Sequence, residues 1–453
     1  MIGTVIGAVL GALLLLPVHG PMLMLPPEET APDAAQAGPM LPKGVGLGRD
    51  VDDSELLRGL QAARLRGGST VVGGYGQFNG TALSVGPGPN NEMLNTPTYT
   101  ATVRRFVLFV AHTFQETGLG ADLRFYGELE WENAIACRTC VGSVEIEQGF
   151  LEWSLVKARD RDVLALRGGL LIVPIGIINQ WHEPPVFHGV ERPRIEEGAI
   201  IPSTWRELGV GVVGDLLPGL HYEAHLTTGL DPQGITAAGF SAARSNGGRA
   251  PAQTLQASAR IELEPVLGFL VGVSGIAGDL GGSKLGAGSF FDVNGDPLPL
   301  ILPLYAWTLD ARVRRAGFEA RALWGGFHLP NAGDLMQARR RDGSLLFPVP
   351  LGSNEGLPQR TIGAELEVAY DVLRPFGVTE QQLLPFARLE FYDGHAQVPA
   401  GFKRDPSLSV KELTVGLSYR PVQQVVVKAD LQARNRALGF DEAQANLGLG
   451  FMF

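Results

Sequence analysis

The sequence predicts an all-β fold, a transmembrane antiparallel β-barrel of about sixteen strands over residues 71–453. Three observations predict it: segments in which apolar and polar residues alternate, long connections that alternate with short ones, and a last segment that ends at Phe453. An outer-membrane barrel has short periplasmic turns and long extracellular loops. An even number of strands therefore brings both ends of the barrel to the periplasmic side.

The alternation is clear at 122–132, where Leu123, Phe125, Leu129 and Trp131 share one face and mostly charged residues share the other. Successive side chains of a strand point to opposite faces, so one face suits lipid and the other suits water. The same pattern recurs at 254–263 and 425–434. The predicted strands begin near Val71, Thr100, Asp122, Ser143, Arg161, Trp205, Leu220, Gln253, Leu267, Tyr305, Gly317, Arg360, Leu384, Val410, Gln424 and Ala443.

The connections between these segments alternate in length. Long ones include 173–204 and 328–359, and short ones include Gly214 to Gly219 and Pro421 to Gln423. A soluble β-sandwich has no reason to place all its long loops at one end, whereas an outer-membrane barrel does so.

The last segment places Ala445, Leu447, Leu449, Phe451 and Phe453 on one face. Its ending resembles the C-terminal signal that the barrel-assembly machinery recognises, with Phe451 and Phe453 as the aromatic residues. The sequence therefore predicts outer-membrane lipid and this machinery as partners.

The first 66 residues precede the predicted barrel. The apolar run Val5 to Leu16 is shorter than the roughly 20 residues of a membrane-spanning helix, and we expect residues 1–20 to be a signal peptide. The alternative is a buried core segment. Residues 21–66 read as a linker rich in Pro, Ala and Gly that ends in a short periplasmic helix from Asp53 to Arg66.

The two cysteines, Cys137 and Cys140, join two strand-like segments. This context favours a disulfide within a loop. The alternative, thioredoxin-like redox chemistry, needs a βαβ context with a helix at the motif. A metal site would need further ligands nearby in the sequence, and we expect none.

The net charge of -10 and the lack of basic runs give no support for nucleic-acid binding. Neither a Gly-rich phosphate loop nor a Gly-x-Ser-x-Gly elbow occurs in a usable context, so no cofactor and no catalysis are expected.

Several motifs carry a resemblance to a known family. They are LLIVPIGIINQWHEPP at 170–185, GVERP at 189–193, IIPSTWRE at 200–207, GGYG at 73–76 and RFYGE at 124–128. The sequence resembles bacterial porins of the phosphate-selective porin O and P-like group, most strongly over 71–230. The resemblance implies a sixteen-stranded barrel, often a homotrimer, that lets small polar solutes or ions diffuse. Phosphate selectivity does not follow, because the loop 173–204 contains no lysine.

The loop 173–204 is expected to fold into the lumen, as the corresponding loop of general porins does. Its prolines stiffen the backbone, and its length exceeds what a plain surface loop needs. An ordinary loop with solvated charges is the alternative. The residues expected at the constriction are His182, Glu183, Glu191, Arg192, Arg194, Glu196 and Glu197.

The polar faces of the later strands supply most of the basic residues of the expected pore wall. Facing an acidic loop, they would produce a transverse field, because patches of charge set ion preference in pores. The alternative is that they form salt bridges along the lumen and leave little net field. The wall residues are Arg260, Arg312, Arg314, Arg321, Arg388 and Lys428.

The sequence thus favours an outer-membrane porin for the passive diffusion of small hydrophilic solutes or ions. One alternative is a non-conducting barrel that acts as an adhesin, anchor or binding protein, plugged for instance by the 53–66 helix. A barrel enzyme is a weaker alternative. His221, Glu223 and His225 share a strand face, but a third protein ligand for a catalytic metal is not evident from their spacing.

Overall fold

The computed structural model describes residues 70–85, 98–114, 122–133, 142–158, 161–248, 254–281, 301–338, 355–378, 380–438 and 441–453, and the single residues 250, 252, 291, 294, 296, 345 and 347. The expected signal peptide, the linker with its helix and the Cys137–Cys140 pair lie outside these ranges. Within them, no helix is long and apolar enough to cross a membrane.

Sixteen strands form one closed barrel in which each strand pairs with its neighbours in sequence and β1 pairs with β16. All pairings are antiparallel. This confirms the predicted fold class, and every strand begins within two residues of its predicted start. The strands are β1 Thr70–Val85, β2 Thr98–Thr113, β3 Leu123–Glu132, β4 Ser143–Ala158, β5 Arg161–Ile172, β6 Arg206–Leu217, β7 Leu220–Thr228, β8 Leu255–Val266, β9 Phe269–Asp279, β10 Pro303–Arg315, β11 Phe318–His328, β12 Arg360–Tyr370, β13 Gln382–Gln397, β14 Ser409–Val422, β15 Val425–Arg436 and β16 Glu442–Met452.

The helical elements of the described chain are short and lie in connections. One α-helix, α1, spans Ala332–Gln337. The 3-10 helices are Pro184–Val186, Arg194–Glu196, Pro232–Gly234, Ser241–Ala243, Arg374–Phe376 and Pro406–Leu408.

Two-residue turns join β6 to β7, β8 to β9, β10 to β11 and β14 to β15, all at the same end of the barrel. Gly219, Gly268 and Gly317 occupy three of these turns with φ of 76°, 81° and 82°. Glycine suits these positions, because a side chain makes positive φ costly. The connection Val173 to Trp205 leaves from the opposite, long-loop end, as the alternation predicts.

The outer face of the barrel is apolar. Val210, Ile261, Leu389 and Leu447 point outward and are more than half exposed. Apolar side chains in such numbers on an outer surface require lipid, because exposed apolar surface in water is costly.

The C-terminal residue closes the barrel against β1. The Phe453 N–H donates to Gly74 O at 2.9 Å, and the Gly74 N–H donates to Phe453 O at 3.0 Å. The ring of Phe451 stacks between those of Phe78 and Phe453 on the outer face. The role of Phe451 and Phe453 as an assembly signal stays a prediction.

An apolar core fills part of the lumen at the long-loop end. Trp205, Phe240 and Phe327 form its centre, and the stacked rings of Phe240 and Phe327 lie 4.9 Å apart. Inward side chains of the wall, including Ile276 and Leu323, complete it. The lumen is therefore not lined by polar groups alone.

Candidate functional site

The connection 173–205, which we call the inner loop, folds into the barrel and packs there. Ile175, Ile177, Ile195 and Ile201 are fully buried. Glu196 clasps the start of the loop, because its Oε2 accepts hydrogen bonds from the N–H groups of Ile177 at 2.6 Å and Ile178 at 2.8 Å. Burial raises the pKa of Glu196 to about 7.

Other polar side chains fix the path of the inner loop from within. Arg192 donates to His182 O at 2.9 Å and to Ser203 Oγ at 2.6 Å. Asn179 accepts from the N–H of Trp205 at 2.6 Å and so ties the loop's two ends. Hydrogen bonds between residues of the loop itself therefore stabilise its conformation.

The inner loop is bound to the wall formed by β12 to β16, which lies across the lumen from β5. Lys428 Nζ donates to Phe187 O at 2.6 Å and to Gly189 O at 2.8 Å. The Val190 N–H donates to Asp430 Oδ2 at 2.6 Å. Hydrogen bonds to charged groups are the stronger kind, so these contacts fasten the loop firmly.

Inward glycines on this side leave room for the loop. A Cβ at Gly450 would come within 2.4 Å of Pro184 Cβ, and one at Gly448 within 2.9 Å of Val190 Cγ1. A Cβ at Gly363 would come within 2.6 Å of Ile195 Cδ1. These glycines permit the close approach of loop and wall.

We call the inner faces of β8 to β15 the later wall. Its expected basic residues have carboxylate partners, apart from Lys428, which holds the loop. Arg388 is fully buried between Glu367 and Glu390, at 3.4 Å and 3.0 Å. The other pairs are Arg260 with Asp310 at 2.7 Å and Glu262 at 2.9 Å, Arg312 with Glu262 at 3.4 Å, Arg314 with Glu319 at 3.0 Å, and Arg321 with Glu367 at 2.7 Å.

The wall formed by β3 and β4 is different, because carboxylates dominate its inner face. Glu130 and Glu145 lie directly opposite each other in the strand register. Glu132 pairs with Arg104 at 2.7 Å, and Arg104 also reaches Glu197 of the inner loop at 3.0 Å. We call the inward residues Glu128, Glu130, Glu132, Glu145 and Glu147 the acidic strip.

A β-bulge in β4 shapes the acidic strip. The register between β3 and β4 shifts at Glu128 and Leu129, and both Glu147 and Gln148 are buried on the inner side. The sequence analysis does not predict this bulge. Its signal is a change of phase, since Val144 and Ile146 point outward before it and Leu151 and Leu155 after it.

The remaining residues expected at the constriction contact β4, β1 or the loop itself. His182 Nε2 lies 3.3 Å from Glu147 Oε1, while Glu191 accepts from Asn79 Nδ2 at 2.8 Å. Glu183 is buried, and Arg194 lies 3.8 Å from Glu197. The structure thus brings His182 to the acidic strip, a contact that no sequence spacing indicates.

Two cavities open near the short-turn end, on either side of the inner loop. One, of about 130 Å³, has Arg124, Glu152, Asp162, Arg167 and Glu223 among its lining residues. The other, of about 60 Å³, is lined by charged residues that include His188, Arg312, Arg314, Glu319 and Glu367.

Of the two histidines considered for a catalytic site, His221 is held between carboxylates of the wall. His221 Nδ1 lies 2.8 Å from Asp215 Oδ1, and its Nε2 lies 3.3 Å from Glu223 Oε1. Glu223 also contacts Arg167 at 3.6 Å and His225 at 3.9 Å. This network is an ion-paired part of the inner face of β5 to β7.

No family model matches the chain. A protein of Aquifex aeolicus that has not been characterized is 29% identical over 366 residues, which cover 79% of this chain and 74% of that protein. Among solved structures, the outer membrane channel DcaP of Acinetobacter baumannii matches with a TM-score of 0.52 at 11% identity, over 85% of this chain and 98% of that one. Salmonella typhi OmpF matches with a TM-score of 0.52 at 13% identity, over the same shares. An anion-selective porin from Comamonas acidovorans gives 0.50 at 12% identity, over 85% and 99%.

These likenesses show the fold. The chain forms a porin-type barrel of sixteen antiparallel strands, and its apolar outer face is that of a protein of the bacterial outer membrane.

Proposed function

We propose that this protein is an outer-membrane porin that allows passive diffusion of small hydrophilic solutes or ions through a lumen narrowed by the inner loop. The observation that carries the proposal is the binding of this loop across the lumen, by Lys428 and Asp430 above all. Membership of the phosphate-selective porin O and P-like group and assembly as a homotrimer are parts of the same proposal.

The path we propose follows the side of the lumen formed by β2 to β7. Charged side chains are partly exposed there at both ends, with Glu132 and Glu145 at the long-loop end and Asp162 and Arg167 at the short-turn end. On the opposite side, Arg388 and Lys428 are buried beneath the loop. Because the loop packs so closely, the path suits ions and very small solutes, and the acidic strip favours cations.

Conductance measurements on purified protein in planar bilayers test this proposal. Wild-type protein should give discrete steps of small unitary conductance. Lys428→Met removes two hydrogen bonds to loop carbonyl groups and should raise the unitary conductance severalfold. Lys411→Met is the matched control, because Lys411 is exposed on the neighbouring strand β14, and it should conduct like wild type.

A non-conducting barrel that serves as an anchor, adhesin or binding protein is the second candidate. The apolar core around Phe240 and Phe327 favours it, because apolar side chains that fill a lumen exclude water and ions. If neither wild-type protein nor Lys428→Met conducts, and circular dichroism shows that both barrels are folded, the porin proposal is overturned in favour of this candidate.

A further inference from the structure

A histidine and two glutamates from separate segments converge inside the barrel. Glu128 lies on β3, Glu147 on β4 and His182 on the inner loop, and all three are buried. Their ligand atoms lie within 4.8 Å of one another. We propose that Glu128, Glu147 and His182 bind a divalent first-row transition metal ion such as Zn²⁺ or Mn²⁺.

Neighbouring side chains orient the two carboxylates. Gln148 Nε2 donates to Glu128 Oε2 at 2.8 Å, and the Tyr126 hydroxyl donates to the same oxygen at 3.4 Å. The Tyr75 hydroxyl donates to Glu147 Oε2 at 3.4 Å. Outer partners of this kind hold ligands in position at metal sites, and here the bond from Tyr75 to Glu147 Oε2 leaves Oε1 to coordinate the ion.

Unsatisfied polar atoms provide a second and independent observation. The side chain of His182 is only 2% exposed, and within the described chain neither of its ring nitrogens makes a well-aligned hydrogen bond, although Nε2 lies 3.3 Å from Glu147 Oε1. Glu147 Oε1 is equally buried and also makes none. Buried polar atoms are normally satisfied, because leaving one without a partner costs about 1–3 kcal/mol. A cation bound between them would satisfy both.

The chemistry of the ligands selects the class of ion. Ca²⁺ and Mg²⁺ prefer oxygen ligands alone, whereas imidazole together with carboxylates suits Zn²⁺ and its neighbours in the first row. His182 Nε2 and Glu147 Oε1 are 3.3 Å apart. This matches the separation of roughly 3.3–3.6 Å between ligands of a tetrahedral ion with bonds of about 2.0–2.2 Å. The three ligand atoms lie within 4.8 Å of one another, so a shift of about 1 Å or less brings the third to bonding distance.

Charge also favours a cation here. Glu130 and Glu183 are buried near the three ligands, so this part of the lumen gathers four carboxylates. Arg105 is the arginine that faces them, while Arg206 is already paired with Glu145, and His182 is neutral when it acts as a ligand. Buried carboxylates without enough cations are costly, and a divalent ion would offset this excess.

A bound ion would join the inner loop to the β3–β4 wall, whereas Lys428 and Asp430 hold it to the other side of the lumen. Metal binding at this site is independent of the proposed porin function, because it can be measured on a barrel that does not conduct.

Calorimetric titration tests this inference. Full-length protein without a histidine tag is stripped with EDTA in detergent and titrated with ZnCl₂, MnCl₂ or CaCl₂. Wild-type protein should bind about one Zn²⁺ or Mn²⁺ per chain and bind Ca²⁺ far more weakly. Glu147→Gln and His182→Gln should each weaken Zn²⁺ binding by at least about tenfold, and Gln148→Leu by about 10-fold to 100-fold through loss of positioning.

His221→Gln is the matched control, since His221 also lies among carboxylates inside the barrel. It should keep wild-type affinity. Zn²⁺ should also raise the thermal unfolding midpoint of wild type and of His221→Gln, but not of His182→Gln. Failure of wild type to bind, Ca²⁺ binding as tight as Zn²⁺ binding, or equal affinity in His182→Gln would each overturn the inference.

Discussion

Two walls of one lumen use their charges in opposite ways. On the later wall, Arg388 sits between two carboxylates and Lys428 holds two carbonyl groups of the inner loop. On the β3–β4 wall, carboxylates outnumber cations, and Glu130 faces Glu145 across the strand register. The same alternating sequence pattern therefore serves attachment of the loop on one side and an accumulation of negative charge on the other.

The ion pairs of the later wall also bear on the field across the lumen. Arg260 is bidentate with Asp310, and Arg321 pairs with Glu367, so most of their charge is cancelled within a few ångströms. A pair acts on a distant ion only as a dipole. The acidic strip carries the larger net charge, and a preference for cations should originate there.

The largest expected effect comes from breaking a pair on the later wall. Arg388→Ala leaves Glu390 buried without its ion-pair partner, takes from Glu367 one of its two arginine partners, and removes a donor to Glu191 O. Removing one partner of a buried pair costs about 3–5 kcal/mol, so the free energy of unfolding should fall by about that amount. Guanidinium unfolding of the barrel in lipid vesicles measures it.

Arg315→Ala is the control for this variant, because Arg315 is exposed at the end of β10. Its free energy of unfolding should change by about 0.5 kcal/mol or less. Equal stability of Arg388→Ala and Arg315→Ala would contradict the view that the later wall holds the loop by buried ion pairs.

A smaller effect is expected from Glu196, which accepts hydrogen bonds from the start of the inner loop. The pKa of Glu196 is about 7 in the folded protein against an ordinary value of 4.5. The folded state thus binds the proton more tightly than the unfolded state. The resulting stability is complete below pH 4.5 and is lost as the pH rises through 7. Glu196→Gln stays neutral while keeping an acceptor for the two N–H groups, and it should be more stable than wild type at pH 8 by about 1–3 kcal/mol.

The measurement is the free energy of unfolding of wild type and Glu196→Gln at pH 4.5 and pH 8. The advantage of the variant should disappear at the lower pH. Glu380→Gln, at an exposed position between β12 and β13, should follow wild type at both. An advantage of Glu196→Gln that is the same at both pH values would argue against a neutral, buried Glu196.

The sequence predicts the strands well because each strand has one face toward lipid and one toward the lumen. Successive side chains therefore alternate between an apolar outer face and the inner face. The path of the inner loop is harder to predict. Its prolines and isoleucines indicate a stiff, buried loop, yet the contact of His182 with Glu147 depends on a bulge and on tertiary packing. The partners of the wall cations follow from register: Glu367 lies opposite Arg388, and Arg321 lies opposite Glu367 on the other side.

The smallest expected effect has the opposite sign and lies on the acidic strip. Like charges directly opposite each other in a sheet are destabilising, and a cross-strand pair contributes roughly 0.2–1 kcal/mol. Glu130→Gln removes the repulsion with Glu145, so in EDTA the free energy of unfolding should stay equal or rise by up to about 1 kcal/mol. Removing a charge from the β3–β4 wall should thus not lower the free energy of unfolding, whereas removing Arg388 from the later wall should lower it by about 3–5 kcal/mol.

Ion selectivity provides a second measurement on the same variant. If ions follow the β2–β7 side, Glu130→Gln should move the reversal potential in an alkaline KCl gradient toward zero, because under these conditions it removes a negative charge from the path. Glu412→Gln is the matched control on the other wall, where Arg434 pairs with Glu412 at 2.7 Å. It should destabilise the barrel with little change in selectivity. A reversal potential that responds to Glu412→Gln and ignores Glu130→Gln would show that ions pass along the later wall, and the functions assigned to the two walls would then be exchanged.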